Sequence, residues 1–281
     1  MKIKITADST CDLSPELVGK YDIEITPLYI IKDGKAYKDT KEIAPKDIFD
    51  HVKAGGAITS TSAVNVDDYI GYFKPLSEEY DAVIHLDISA DFSSCYQNAC
   101  IAAKEYPNVY VVDTRNLSTG SGLLVLEAAE MAQRGEAPEN IVKALNDLTS
   151  KAEASFVIDK LDYLRKGGRC SALAALGANL LSLRPCIEVK DGKMGVGKKY
   201  RGTFEKCIMQ YVKERLEGRD DINTKRIFIT HPPFEYKGLV DAVRKEIGKY
   251  VKFDEVLETH AGCTVSSHCG PGTLGILFIR K

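Results

Sequence analysis

The sequence predicts an α/β fold, with an N-terminal mostly parallel sheet and flanking helices, then a C-terminal α+β domain with antiparallel strands. Three observations carry this reading. Short β-rich runs alternate with helical patterns through the first half. Polar loops follow those runs at Asp8, Ser89 and Asp113, as expected where parallel strands share one carboxyl edge. Beyond Lys151 the texture changes, and an Asp191-Gly192 turn joins two β-rich runs into a hairpin. A chain of 281 residues has room for two cores. The boundary is therefore placed between an N-terminal α/β domain, residues 1–150, and a C-terminal α+β domain, residues 151–281.

Taken in order, Lys2 to Thr6 alternates as a strand and ends in the polar Ala7-Asp8-Ser9-Thr10. Ser14-Pro15-Glu16 reads as an N-cap with proline at the first helical position. Ile23 to Ile31 is β-rich, and Asp33-Gly34 is a hairpin-type turn. Asp47 to Lys53 is helical, Thr59 to Ser62 a hydroxyl-rich loop, and a helix starts near Val66. Ala82 to Ile88 and Val109 to Val112 are buried strands; Tyr96 to Glu105, Gly122 to Gln133 and Pro138 to Leu148 are helices. In the second half, Leu161 to Leu183 reads as mostly helical with an interruption at Gly167-Gly168. Arg226 to Thr230, Val251 to Leu257 and Thr273 to Ile279 are strands, and Lys237 to Tyr250 is a helix.

Composition narrows the function. The formal net charge is -2, so the overall basic excess usual in a nucleic-acid binder is missing. Met1 to Ala7 is a charged alternating pattern rather than an apolar leader, and Ser171 to Leu183 is too short for a membrane span. A cytoplasmic protein without stable membrane insertion is expected. Eight cysteines without a CxxC pair read as reduced thiols, mostly small core residues.

Four groups of residues invite chemistry. Gly192 to Lys198 matches GxxxxGK, but Lys199 stands where the magnesium-binding hydroxyl belongs, and the context is a hairpin. His260, Cys263, His268 and Cys269 are four zinc-ligand types within ten residues, at a spacing that fits no familiar site. Hydroxyl-rich loops at Asp8-Ser9-Thr10, Thr59 to Ser62, Ser89, Ser93-Ser94 and Asp113-Thr114 are singly ordinary turn and cap residues. Gathered at one sheet edge, they are suited to holding a small anion such as a carboxylate. Arg165-Lys166-Gly167-Gly168-Arg169 and Lys198-Lys199-Tyr200-Arg201 form a basic cluster whose ordinary reading is a solvated face and whose sharper reading is a phosphate or acidic-partner site. Ser93 with His268 is the pair to weigh as nucleophile and base, although no GxSxG elbow is present.

In their order these loops resemble the DegV family of bacterial fatty-acid-binding proteins. The resemblance runs from Ile5-Thr6-Ala7-Asp8-Ser9-Thr10 through Thr61-Ser62-Ala63-Val64-Asn65, Ser89 to Ala99 and Val111 to Gly122. It continues through Leu164 to Arg169, Lys199 to Gly202 and His268-Cys269-Gly270-Pro271-Gly272. It implies one long-chain fatty acid, of palmitate to oleate length, in a buried tunnel between the two domains. Thr61, Ser62, Ser93, Ser94 and His268 would hold its carboxylate. Arg165, Arg169 and Arg201 would face a partner, a fatty acid kinase catalytic subunit that phosphorylates the carboxylate. The chain itself would have no catalytic residue, metal or cofactor. It departs from the family pattern at Ala63-Val64, Asn65, Asp91 and Ser94-Cys95. The competing class is a serine-type acyl hydrolase using Ser93 and His268; a regulatory or nucleic-acid-binding module is disfavoured by the charge balance.

Overall fold

The computed structural model describes residues 1–172, 183–233 and 236–281. β1 (Ile3–Asp8) leads through a 3-10 turn (Ser9–Cys11) into α1 (Pro15–Lys20), which Ser14 caps and Pro15 opens. There follow β2 (Glu24–Thr26), β3 (Tyr29–Lys32), β4 (Lys35–Lys38), α2 (Pro45–Lys53), β5 (Ser60–Ser62) and α3 (Val66–Glu79). β6 (Ala82–Asp87), α4 (Cys95–Ala103), β7 (Val109–Asp113), α5 (Thr119–Gln133) and α6 (Pro138–Thr149) complete the first half. The second half contains β8 (Ala152–Ile158), α7 (Asp162–Gly167), β9 (Leu183–Lys190), β10 (Lys193–Arg201) and α8 (Phe204–Leu216). It ends with β11 (Ile222–His231), α9 (Leu239–Tyr250), β12 (Glu255–His260), α10 (Cys263–Cys269) and β13 (Thr273–Arg280).

The first sheet, in the order β2-β1-β6-β7, is wholly parallel. β6 is buried along its whole length, which is why its sequence reads as a nearly unbroken apolar run. The second sheet, β10-β9-β8-β13-β11-β12, is antiparallel except for the β11–β12 pair. A small antiparallel sheet, β4-β3-β5, brings Thr61 opposite Ile30.

α5 stands between the two large sheets and touches β1, β8 and β13. It is buried almost all round, as a helix packed on two sides must be. Its first turn presses against the 3-10 turn. A Cβ on Gly122 would lie 2.6 Å from the carbonyl oxygen of Cys11, so only glycine permits this approach. The main core runs from Ile5 and Ile84 through Leu124 to Phe156 and Leu277, joining both sheets. A second core around Phe204, Tyr211, Val243 and Phe278 fills the far side of the six-stranded sheet beneath α8 and α9. Seven of the eight cysteines are buried.

Several elements differ from the sequence reading. Ile23 to Ile31 is two strands, not one, because Pro27 lacks a ladder donor and the Leu28 amide bonds the Ser9 hydroxyl at 3.1 Å instead. The hydroxyl-rich stretch before Ala63 contains strand β5. β8, α8 and α10 are elements that periodicity did not single out. The helix expected over Leu161 to Leu183 exists as the short α7, closed by Gly168 at φ 68°, while residues 173–182 lie outside the described residues.

α10 owes its existence to distant residues. The amide of Gly262 donates to Asp12 Oδ1 at 2.7 Å, and that of Cys263 to Asp39 Oδ1 at 2.8 Å. The Thr264 amide and hydroxyl both donate to Asp39 Oδ2, at 3.1 and 2.6 Å. Ser9 and Ser118 complete the two carboxyls by donating to Asp39 and Asp12 respectively. Replacing Asp39 by alanine orphans buried donors at a helix start and is expected to lower stability by at least about 2 kcal/mol, measurable by urea unfolding. Asp12 predicts a pH effect. Burial, which outweighs its bonds from Ser118 and Gly262, pushes its carboxyl up to about 8. Unfolded, the group titrates near 3.9, so the folded chain keeps a proton that the unfolded chain releases. That contribution is complete below about pH 4 and is lost as pH rises through about 8. The stability of wild type relative to Asp12→Asn should therefore fall across this window; a difference that does not vary with pH contradicts the assignment.

Candidate functional site

The carboxyl ends of β1 and β6 are fixed by a buried polar network. Asp8 accepts from the Thr10 amide at 2.8 Å, the Thr10 hydroxyl at 2.5 Å and the Ile88 amide at 2.6 Å. Asp87 accepts from the Tyr69 hydroxyl at 2.7 Å and lies 3.2 Å from His85, whose other ring nitrogen meets the Thr6 hydroxyl at 2.7 Å. Burial and the nearby Asp87 push the Asp8 carboxyl up to about 6. Asp8, Asp87 and Cys95 bring potential ligand atoms within 4.8 Å of one another. Asp8 already accepts three hydrogen bonds, however, and burial pushes the Cys95 thiol up to about 12. That environment suits a protonated thiol better than a metal thiolate.

Above this edge lies a cavity of about 290 Å³. Leu28, Ile88 and Leu117, from the segments that follow β2, β6 and β7, form one side of it. α10 supplies Val265, His268 and Cys269, and β5 with its continuation supplies Thr61, Ser62 and Ala63. Ser93, Ser94 and Arg169 also line it. A position beyond the carboxyl ends of parallel strands is where open α/β sheets commonly bind ligands.

Its polar groups are clustered. The Thr61 hydroxyl and His268 Nε2 are 2.8 Å apart. The other ring nitrogen of His268, Nδ1, is buried without a partner. The ring lies against Gly167, where a Cβ would fall 2.1 Å from Nδ1, so the glycine in the basic motif makes room for the histidine. Arg169 donates to the carbonyl of Phe92 at 3.3 Å and to that of Gly167 at 2.9 Å, tying the basic loop to the serine loop. The Ser93 hydroxyl donates to Cys95 Sγ at 3.1 Å and accepts the Cys95 amide at 3.3 Å. Val265 and Cys269 share a face of α10 one turn apart and present apolar surface beside the histidine.

Of the residues singled out by sequence, Thr61, Ser62, Ser93, Ser94, His268 and Arg169 therefore line one cavity. Arg165 and Arg201 are exposed and lie outside its walls. The pairing that a hydrolase would need between Ser93 and His268 is not formed: the His268 ring meets Thr61, while the Ser93 hydroxyl meets Cys95. Burial, followed by the Arg169 charge, also lowers His268 to about 4, making it a weak base. The Gly192-to-Lys198 match is the expected hairpin: the Gly192 carbonyl accepts from the Ser89 hydroxyl at 2.8 Å, and Arg115 reaches the neighbouring Asp191 carbonyl at 2.9 Å. Sequence reasoning missed the apolar wall formed by Leu28, Leu117, Met194 and Val265. No local motif marks these residues.

The family described as "Uncharacterised protein, DegV family" matches residues 2–281. The chain belongs to the DegV family. Among its DegV relatives, a fatty acid-binding protein of Thermotoga maritima is 32% identical, over 98% of this chain and 96% of its own. The solved structure of a DegV family protein from Thermus thermophilus, described as fatty acid binding, superposes with a TM-score of 0.89 at 32% identity, covering 100% of both chains. A stearic acid-binding protein from Eubacterium ventriosum superposes at 0.84 with 27% identity, covering 99% of this chain and 98% of that one. No helix among the described residues of this DegV chain is long and apolar enough to cross a membrane.

The neutral histidine is directly testable. In a histidine NMR titration of wild type, His268 should stay neutral down to about pH 5. In Arg169→Ala its midpoint should move up, because a nearby positive charge is removed. A wild-type midpoint near the ordinary 6.5 contradicts the buried setting.

Proposed function

We propose that this chain binds one long-chain fatty acid, with the carboxylate at the Thr61–Ser93–His268 end of the cavity and the acyl chain along its apolar wall between residues 1–150 and 151–281. The observation that carries the reading is the gathering of Thr61, Ser62, Ser93, Ser94 and His268 around one cavity whose remaining wall, apart from Arg169 and Thr264, is apolar. Whole-chain similarity to DegV proteins named for fatty-acid binding supports it. The energetics are adequate: each buried methylene contributes about 0.8 kcal/mol, so a chain of about sixteen carbons offers roughly 10 kcal/mol before ordering costs. The carboxylate, drawn from water, needs hydrogen bonds, and the hydroxyls of Thr61, Ser62, Ser93 and Ser94 at the cavity can provide them. Arg169 adds a positive charge at that end.

Chemistry on the bound acid then falls to a partner. The proposed role is to present the carboxylate to a fatty acid kinase catalytic subunit in the cytoplasm, with Arg165, Arg169 and Arg201 facing that partner or the transferred phosphate. Ser93 and His268 do not pair with each other as acyl hydrolysis would require.

Delipidated protein should take up palmitate or oleate with a raised melting temperature. Ser93→Ala and His268→Ala should each weaken binding by about 1–3 kcal/mol in a fluorescence displacement titration. No uptake of any long-chain fatty acid overturns the reading. Arg201→Ala should leave affinity nearly unchanged while reducing phosphorylation by a cognate kinase subunit; unchanged phosphorylation in the Arg165, Arg169 and Arg201 triple variant removes the partner role.

A further inference from the structure

The main cavity does not end at its apolar wall. A second chamber, of about 20 Å³, lies behind it, and Leu117, Val265 and Cys269 border both. These three side chains form a shared partition. Phe156, Ala261 and Leu277 supply the second chamber's apolar surface, from β8, the connection between β12 and α10, and β13. It therefore lies between α10 and the inner face of the six-stranded sheet.

Several of its bordering residues are polar, yet their polar atoms are engaged elsewhere. The Ser118 hydroxyl donates to Asp12. The Thr230 hydroxyl lies 2.6 Å from that of Thr119 and 3.0 Å from that of Thr259. The Thr273 hydroxyl donates to the carbonyl of Cys269 at 3.0 Å. His231 meets the carbonyl of Pro232 at 2.8 Å through one ring nitrogen and Glu258 at 3.3 Å through the other. The surface left facing the chamber is methyl and methylene. The polar end of the main cavity differs, because Thr61, Ser62, Ser93, Ser94 and Arg169 line it. One end thus suits a polar head and the other suits hydrocarbon.

We propose that the second chamber is a seat for the methyl end of the acyl chain, and that Leu117, Val265 and Cys269 set the acyl length by governing passage into it. This rests on the fatty-acid-binding reading. With room for about one water, the chamber accepts more carbons only as its lining side chains turn aside. Affinity should rise about fourfold per added carbon while new methylenes are buried, then level off once the methyl group reaches the chamber's end.

The test is a displacement titration of delipidated protein with the saturated series from octanoate to stearate, in wild type and two variants. Val265→Phe thickens the partition, so the affinity plateau should move to shorter acids. Stearate should lose at least about tenfold more affinity than decanoate. A cooperative melting transition close to that of wild type shows that this variant folds. Phe156→Leu enlarges the chamber alone and should move the plateau to longer acids. A plateau at the same acid in wild type and both variants overturns the proposal. Failure of wild type to bind any acid in the series instead overturns the fatty-acid-binding reading beneath it.

Discussion

The N-terminus of α10 is where the two halves of the chain become one site. Its first amides donate to Asp12 and Asp39, carboxyls that stand 250 and 224 residues earlier in the sequence. Seven residues do not make a stable helix alone, and Cys263-Thr264-Val265-Ser266-Ser267 is rich in β-branched and hydroxyl side chains with poor helical preference. The two acids supply what local sequence lacks: acceptors for the orphan amides at the start of the helix. Burying two carboxyls is costly, and the donors gathered around them offset that cost. Because Asp12 follows β1 and Asp39 follows β4, the helix bearing Val265, His268 and Cys269 is placed in register with the loops it faces.

This arrangement explains which parts of the molecule are legible in the sequence. β6 reads correctly because burial on both faces leaves an apolar run, and β1 and β7 because each is a β-rich run ending in a polar loop. α1 and the β9–β10 hairpin read correctly because Ser14-Pro15 and Asp191-Gly192 encode their own geometry. α10 does not read, because its cap comes from the other end of the chain. β5 does not read, because a run of hydroxyls becomes a strand only when β3 offers a ladder. The break at Pro27-Leu28 depends on Ser9, again from another segment.

The candidate site shows the same division. Ordered motifs led to Thr61, Ser93, His268 and Arg169, and the fold brings them to one cavity. The pairing among them was not legible. Ser93 and His268 invite a nucleophile–base reading, yet the histidine pairs with Thr61 and the serine with Cys95. Gly167 reads in the sequence as an interruption of a helix within a basic cluster; in the structure its missing side chain makes space for the His268 ring. Each is a contact between segments far apart in sequence, fixed by packing and not by spacing.

The electrostatics divide the proposed head-group work between two residues. A histidine buried beside Arg169 would suffer both desolvation and like-charge repulsion if protonated, so it is held neutral. A neutral imidazole still has one N–H to donate and one nitrogen to accept, and can bond a carboxylate without bringing a second cation into the cavity. The positive charge resides on Arg169, which is exposed at the residue level while still lining the cavity and bonding Phe92 and Gly167. A guanidinium that keeps contact with water avoids most of the penalty of a buried ion. An anionic head group beside it can likewise remain ionised. Neutral donors inside and a hydrated cation at the rim let an acid sink its hydrocarbon while its charged end stays chemically reachable.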